Sequence, residues 1–587
     1  MNGLVTATTL SVLLDSLHSS AAKVVFPEQD TVLPHRSLPL QAERLAQRLL
    51  EKGVQRGDVV GLLMPTTPEF LPAFFSAACA GAAVSILPLP PVVLDPAAAA
   101  RHLAPMIEAA RMRHLVVHGT GRAIGEHLAK AHPKLCLVEA STTLAGVAAT
   151  GTKAVQPSAA GAPPRPQDLA LVQFTSGSTS RPRGVMHTHR GLLAGVSAIN
   201  ERIRGNSGDV LVQWIPLFHD MGLVSLLCSL HAHADAHLFS PMAFIRKPAE
   251  LVKHIARHKG TVTASPNFAY DKIASVSERP SPALTTADGL SQWRVAFNGG
   301  EMVQARTLDA FLMAFGPLGV SAGTMYPSYG LAEAVLAVCL PQPGTTPRRV
   351  HVARDTLIPG QQVSFVDHPD SGMVLVGAGT PITGIEVRIT APDGITGLGQ
   401  GCLGEICIRG IPVTRGYLHH PEATEAVLKH GWLHTGDLGF FHHGELFVAG
   451  RLKDMIVVQG RNYFPDDVEE LVRDLAGIYR QHVVAIADPD TEHIVVVAES
   501  TAQPGTAQHK QLLRTIEGAA TTELGLSAVR VQLVAPRTLP KTTSGKWQRS
   551  RVRELLALPT QAKTLPSADA VASRADRASN HPSKEAQ

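Results

Sequence analysis

Between about residues 37 and 340 the chain alternates short, wholly apolar runs with longer amphipathic ones, and few folds accommodate that alternation. Residues 37–52 place apolar and charged side chains at helical spacing and stop at Gly53, and 58–63 follows as a short apolar strand. The stretch 70–94 is the hardest case, because it holds no charged residue and is long enough to span a bilayer. Pro72, Pro88, Pro90 and Pro91 interrupt it, however, and Gly81 sits near its middle. A buried helix near 69–80 and a buried strand near 83–87, joined by a glycine turn, account for the same run without a transmembrane segment. Apolar strands separated by helix-length segments belong to parallel sheets with crossover helices, so the expected class is α/β.

The 587 residues leave room for about three or four folding units. A hydrophobic share of 44% against 17% charged excludes a chain disordered throughout. The 50 Gly and 42 Pro show no period, which excludes a collagen-like or low-complexity scaffold. A net charge of +4 spread over this length gives no grip on nucleic acid or on an anionic membrane. None of the six cysteines forms a CxxC pair, which argues for a reducing, cytoplasmic setting. The N-terminal stretch has no positive region and carries Asp15 among its apolar residues, so it reads as a helix or arm and not as a secretory signal.

Residues 141–168 are small, polar and proline-bearing, as expected of a surface loop. Residues 341–372, rich in Pro, Gly and Arg, read as an insertion between ordered regions. From about 374 to 448, strand-like runs at 405–409 and 445–448 are split by glycine turns, as in a small β-subdomain. After Arg451 the pattern is β, α, β, with a helix over 465–476 and strands near 483–487 and 494–498. Apolar periodicity stops after Pro559, and 559–587 is expected to be a disordered tail.

The chemistry starts where an apolar run from Leu171 enters Thr175-Ser176-Gly177-Ser178-Thr179-Ser180, followed by Arg183 and Gly184. Small hydroxyl residues and glycines let N–H and O–H groups converge on an anion, and Arg183 adds charge, so this is a phosphate-gripping loop. It is not the GxxxxGK[ST] loop, whose spacing and following helix are missing. Five more blocks follow in order: YPSYGLAE from Tyr326 to Glu333, GEICIRG from Gly404 to Gly410, HTGDLG from His434 to Gly439, GRLKD from Gly450 to Asp454, and PKTTSGK from Pro540 to Lys546. In kind and order the six blocks resemble the adenylate-forming superfamily of acyl-CoA synthetases, luciferases and peptide-synthetase adenylation domains, over about residues 30–555.

The resemblance implies a role at each matching position. Thr175 to Thr179 with Arg183 and Gly184 match the loop holding the β- and γ-phosphates of ATP. Tyr329, followed by Gly330, matches the aromatic that stacks on adenine, and Gly299-Gly300-Glu301 the strand lining the base. Glu333 and Thr179 match Mg2+ ligands, hard oxygens for a hard cation. Asp437 matches the carboxylate that takes the ribose hydroxyls, Arg451 a second ribose or phosphate contact, and Lys453 the domain hinge. Lys546 matches the mobile lysine that bridges the substrate carboxylate and the α-phosphate, two anions that repel until positive charge is concentrated between them. Arg183 stands where many members have Lys, keeping the charge but changing its hydrogen-bond geometry. Gly300 stands where Ala is common, a difference expected to be neutral.

Segments 214–223 (WIPLFHDMGL), 240–248 (SPMAFIRKP), 265–271 (SPNFAYD) and 450–465 look more narrowly like fatty acyl-AMP ligases. That resemblance implies a fatty or related acid activated to acyl-adenylate and passed to the pantetheine thiol of an acyl carrier protein supplied in trans, with His219 near the substrate carboxylate. It also implies a large N-terminal adenylation domain with parallel sheets over 1–450, carrying an extra segment at 341–372. A hinge at 451–453 and a small, mobile α+β C-terminal domain over 454–558 would deliver Lys546 by rotating about Lys453. Arg549, Arg551 and Arg553 form a basic strip suited to an acidic carrier. A medium- or long-chain acyl-CoA ligase is the enzymatic alternative. An inactive adenylate-binding module is the other, and the presence of both Glu333 and Lys546 stands against it.

Weaker patterns have plainer readings. His231, His233, Asp235 and His237 would share one face of a strand, but no second ligand group is nearby in sequence, and the family places a buried sheet edge there. His187 and His189 read as helix-entry residues, and Cys402 and Cys407 as buried thiols. Gly119-Thr-Gly121-Arg-Ala-Ile-Gly125 is one residue off a dinucleotide fingerprint and is set aside.

Overall fold

The computed structural model describes residues 7–140, 163–175, 182–277, 289–367, 372–458, 461–488, 493–524, 529–541 and 547–557. Most of the expected surface loop at 141–168 and all of the expected tail at 559–587 lie outside these residues.

Two sheets organise the first half. Their strands begin with β1 (Lys23–Phe26), β2 (Thr31–Pro34), β3 (Val59–Leu63), β4 (Ala83–Ile86), β5 (His114–Val117) and β6 (Cys136–Glu139). They continue with β7 (Leu169–Thr175), β8 (Arg183–Thr188), β9 (Val210–Gln213), β10 (Asp235–Leu238), β11 (Val262–Ser265), β12 (Val295–Asn298) and β13 (Met325–Pro327). One sheet runs β6-β5-β3-β4-β7-β8, parallel except for β8, which folds back on β7. The other runs β13-β12-β11-β9-β10-β1-β2, parallel except for the edge strand β2. Every residue of β3, β4, β5 and β11 is buried; β3 is apolar throughout, while the others also bury Ser85, His114, Thr263 and Ser265. The charge-free window resolves into a helix at Phe70–Cys79, with Phe70, Phe74 and Phe75 wholly buried, then a turn at Gly81 (φ +76°) and β4. No helix among the described residues is long and apolar enough to cross a membrane.

The expected β-subdomain is an antiparallel sheet of five strands, Ile385–Thr390, Gly404–Gly410, Leu428–Lys429, Trp432–His442 and Glu445–Arg451. The segment 341–372 is more regular than its composition suggested. Its strand Arg349–Val352 pairs with Met373–Val376, and Val350, Val352, Leu357 and Val363 share a core with Phe440, Phe447 and Phe464.

The C-terminal part has its own three-stranded sheet, Ile478–Ala487, Ile494–Ser500 and Val529–Val534, and its own core around Val468, Val496 and Ile516. The helix expected over 465–476 is shorter, Pro465–Val472, because the chain turns before Gly477, which sits at φ +104°. The basic strip needs correction. The Arg549 side chain is largely buried and is held 2.8 Å from Glu469 and 3.1 Å from Asp466, so it is not offered to a partner. Arg551 is exposed and Arg553 half-buried.

Candidate active site

β9, β11, β12 and β13 are parallel and adjacent, so their C-terminal ends open on one edge of the sheet, where α/β folds build ligand crevices. Beyond those ends come Trp214, Asn267, Gly299-Gly300-Glu301 and Tyr329. Trp214 stacks on Phe244 (centroids 4.1 Å apart, planes at 13°), meets the exposed Phe268 edge-on at 5.9 Å, and donates its indole N–H to Ser265 Oγ at 3.0 Å. Met221 packs into the same cluster. The segments 214–223, 240–248 and 265–271 are therefore one aromatic wall in space. It is tied to the β12 end by Asn267, whose backbone N–H donates to Glu301 Oε1 at 2.9 Å and whose Oδ1 accepts from Asn298 at 3.0 Å. Gly300 sits at φ +82°, so alanine there is strained and the difference from the family is not neutral. A Cβ on it would meet only Met221 Cε, at 3.5 Å, which leaves a bare backbone edge.

Tyr329 is buried and donates its hydroxyl to Asp437 Oδ2 at 2.9 Å, while Arg451 Nε lies 2.8 Å from Oδ1. Asp437 and Arg451 face each other in the register of neighbouring antiparallel strands. Burial, and then the Asp437 charge, push the Tyr329 phenol well above its ordinary range, so it stays a donor. Asp437 is thus braced at both oxygens, and each keeps a second lone pair for a ligand.

The hairpin of β7 and β8 pairs Thr175 with Arg183 and Phe174 with Gly184, and closes the expected phosphate loop. Ser176, Gly177, Ser178 and Thr179 lie outside the described residues. The Arg183 guanidinium sits 5.5 Å from the Tyr417 ring centroid, and the Tyr417 hydroxyl donates to Glu333 Oε1 at 2.8 Å. Burial and the Glu333 carboxylate raise the Tyr417 pKa. Two residues past Glu333, the buried, β-branched Val335 adopts φ 69°, ψ −58°, a strained γ-turn closed by Leu336 N–H to Ala334 O at 2.8 Å. Gly195 makes room for it, since a Cβ there would lie 3.0 Å from Val335 Cβ. Tyr417 was missed in the sequence. Its only signal is an aromatic after Gly416, a glycine at φ +125°.

His219 caps the helix Asp220–His231, and its Nδ1 lies 2.6 Å from Asp220 Oδ1. The same Nδ1 accepts the Met221 backbone N–H at 3.3 Å, which fixes the ring at the start of this helix. Gln173 of β7 donates to the neighbouring Phe218 carbonyl at 2.6 Å, which brings this loop to the phosphate hairpin.

Lys546 lies outside the described residues. Lys541 and Trp547 pair across a backbone bridge, with the Lys541 ammonium 4.0 Å from the indole centroid and 3.3 Å from His482 Nε2. His482 Nδ1 lies 2.8 Å from the wholly buried Glu499, whose other oxygen accepts from Leu539 N–H at 2.8 Å. Desolvation lowers the Lys541 pKa, and the Glu499 and Glu301 charges oppose that shift. Lys453 is exposed in the short turn Leu452–Asp454.

Several residues sit elsewhere than expected. His231 ends a helix, His233 is in a left-handed turn (φ 53°), and only Asp235 and His237 lie on β10, so the four do not share a strand face. His187 is on β8, fully buried, with Nε2 2.8 Å from Ala332 O, while His189 does open a helix. Cys407 is buried, but Cys402 is only half-buried. The glycines of 119–125 serve packing, since a Cβ on Gly121 would lie 1.9 Å from Leu63 O.

A family model described as AMP-binding enzyme matches residues 17–418, and one described as AMP-binding enzyme C-terminal domain matches 460–552. The chain is 34% identical over 424 residues to the long-chain-fatty-acid–AMP ligase FadD26 of Mycobacterium marinum, covering 66% of this chain and 71% of that one. It is 32% identical over 525 residues to the 4-hydroxyphenylalkanoate adenylyltransferase of Mycobacterium tuberculosis, covering 84% and 81%. A solved structure from work on fatty acyl-adenylate ligases of E. coli and L. pneumophila superimposes with a TM-score of 0.84 at 28% identity, over 94% of this chain and 98% of that one.

Proposed function

The chain belongs to the AMP-binding, adenylate-forming enzymes, and on that premise we propose that it activates a fatty acid to its acyl-adenylate and hands the acyl group to the pantetheine thiol of a carrier protein. The observation that carries the choice of acid is the wall of Trp214, Phe244 and Phe268, an apolar surface built beside the Gly299–Glu301 strand end. The 4-hydroxyphenylalkanoate relative keeps an acid with an aromatic end within the class.

In this reading ATP is a substrate laid across the sheet edge. The bare backbone at Gly300 accepts a flat base, and Asp437, held rigid by Tyr329 and Arg451, takes the ribose hydroxyls. Arg183 and the hairpin loop hold the outgoing pyrophosphate. Glu333, anchored by the Tyr417 hydroxyl, is a hard oxygen donor that fits Mg2+, with Thr179 as its partner. Bound there, the ion would neutralise phosphate charge. Lys546 supplies the matching charge between carboxylate and α-phosphate, and His219 orients the acid. The carboxylate oxygen attacks the α-phosphorus and pyrophosphate leaves. The thiol sulfur then attacks the acyl carbon, AMP leaving with the electron pair of the cleaved C–O bond.

A panel of acids with ATP and Mg2+, offered free CoA or a holo-carrier protein and read by mass spectrometry, tests this directly. Acyl-adenylate with CoA untouched, and acyl-carrier in the second arm, is the expected pattern. Rapid acyl-CoA formation would make the chain a CoA ligase, and no nucleotide turnover with any acid would remove the proposal. A Lys546→Ala variant that kept full pyrophosphate exchange would refute the role given to that lysine.

A further inference from the structure

The histidine-rich run 231–237 does not gather on one face, but its last member meets two imidazoles from another element. His237 lies on β10 and is 4% exposed. His254 and His258 stand one turn apart on the helix Pro248–His258, so both present to the same side. His237 Nδ1 is 2.6 Å from His254 Nε2, and the rings of His254 and His258 lie 4.1 Å apart, those of His237 and His258 5.0 Å. One ring nitrogen from each of the three falls within 4.8 Å of the others.

We propose that His237, His254 and His258 form a three-imidazole site for a borderline divalent transition ion, with Zn2+ the best fit and the fourth position left to water. Tetrahedral Zn–N bonds of about 2.0–2.1 Å place ligand nitrogens about 3.3 Å apart, and the nitrogens of these three rings lie within 4.8 Å of one another. An imidazole donor set selects zinc, copper or nickel over Mg2+ and Ca2+. His237 Nδ1 and His254 Nε2 face each other 2.6 Å apart, so a single proton is shared between them and an ion binding there displaces it. Lys23 and Arg257 are the cations nearest the cluster and oppose a second positive charge, which makes this an affinity-limited site rather than a deep zinc trap. Phe239 packs edge-on against His254 at 5.0 Å and closes one side. The ion would fasten this helix to β10. The preceding short helix, Pro241–Arg246, carries Phe244, so the clamp braces the support of the aromatic wall.

The test is a Co2+ titration of the chelator-treated, full-length chain at neutral pH, followed by visible d–d absorption and by Zn2+ competition. A single equivalent of moderate affinity, with tetrahedral bands, is expected. His258→Gln, at an exposed position, and His254→Gln should each weaken it at least the roughly tenfold that loss of a supporting partner costs a metal site. Zinc should raise the melting temperature of the wild type and not of His258→Gln. X-ray absorption of the cobalt form counts ligands without any variant, and three imidazoles are expected. No bands, bands unchanged in both variants, or fewer than two imidazoles would overturn the site. So would a thiolate charge-transfer band lost in Cys407→Ser, which would move the ion to Glu405, Cys407 and His434.

Discussion

At Asp437 one carboxylate accepts a phenol on one oxygen and faces a guanidinium on the other, so its position is set before any ligand arrives. Asp437→Asn keeps the volume and removes the charge. A hydrogen bond to a charged group contributes roughly 1.5–3 kcal/mol, so kcat/KM for ATP should fall about ten- to hundredfold, measured by pyrophosphate exchange, with the melting temperature little changed. The buried histidines give a second prediction. His35 and His187 are held near pKa 4, chiefly by burial, against 6.5 in the unfolded chain. Below about pH 6.5 the unfolded state therefore binds protons that the folded state refuses, and stability is lost as pH falls from there toward 4. Each such imidazole accounts for up to about 3 kcal/mol, and thermal melts between pH 7.5 and 4.5 should show a steep decline.

Strands β3 and β4 were legible because burial on both faces leaves a short, charge-free run between turn signals. In the run HAHADAH alternation alone cannot tell a strand from a helix end followed by a turn. Here the apolar residues before it carry the helix on to His231, and His233 reverses the chain. The near-fingerprint at 119–125 does connect a strand to a helix, Gly121–Ala131, but its glycines let that helix lie against the sheet backbone. Gly121→Ala would push a methyl into the Leu63 carbonyl. Overpacking of this kind costs about 1–3 kcal/mol, and against backbone the upper end is expected in urea denaturation.

Across the molecule, what the sequence hid is what forms between distant segments. Glu333 was visible inside its block, whereas Tyr417 becomes its partner only because the β8 edge bridges to Tyr417 itself, 84 residues along the chain from Glu333. The same holds where the C-terminal part docks. Arg354 lies 2.8 Å from Asp467, Arg306 lies 2.9 Å from Asp474 and 3.1 Å from Glu470, and Phe464 fills a core shared with Phe440 and Phe447. If the lid turns about Lys453, these contacts must part. Arg354→Asp should loosen the docked state, read as faster hydrogen exchange over 461–474. Adding Asp467→Arg should restore protection, and a failure to do so would show that the pair does not hold the lid.

The bridge between Lys541 and Trp547 carries one more consequence. The Trp547 indole is clasped by a lysine and backed by a histidine and a sunken glutamate, which fastens this end of the chain to the three-stranded C-terminal sheet. If that sheet swings between the two half-reactions it moves as one heavy body, and thickening the solvent with glycerol should then lengthen each catalytic cycle even when every substrate is saturating.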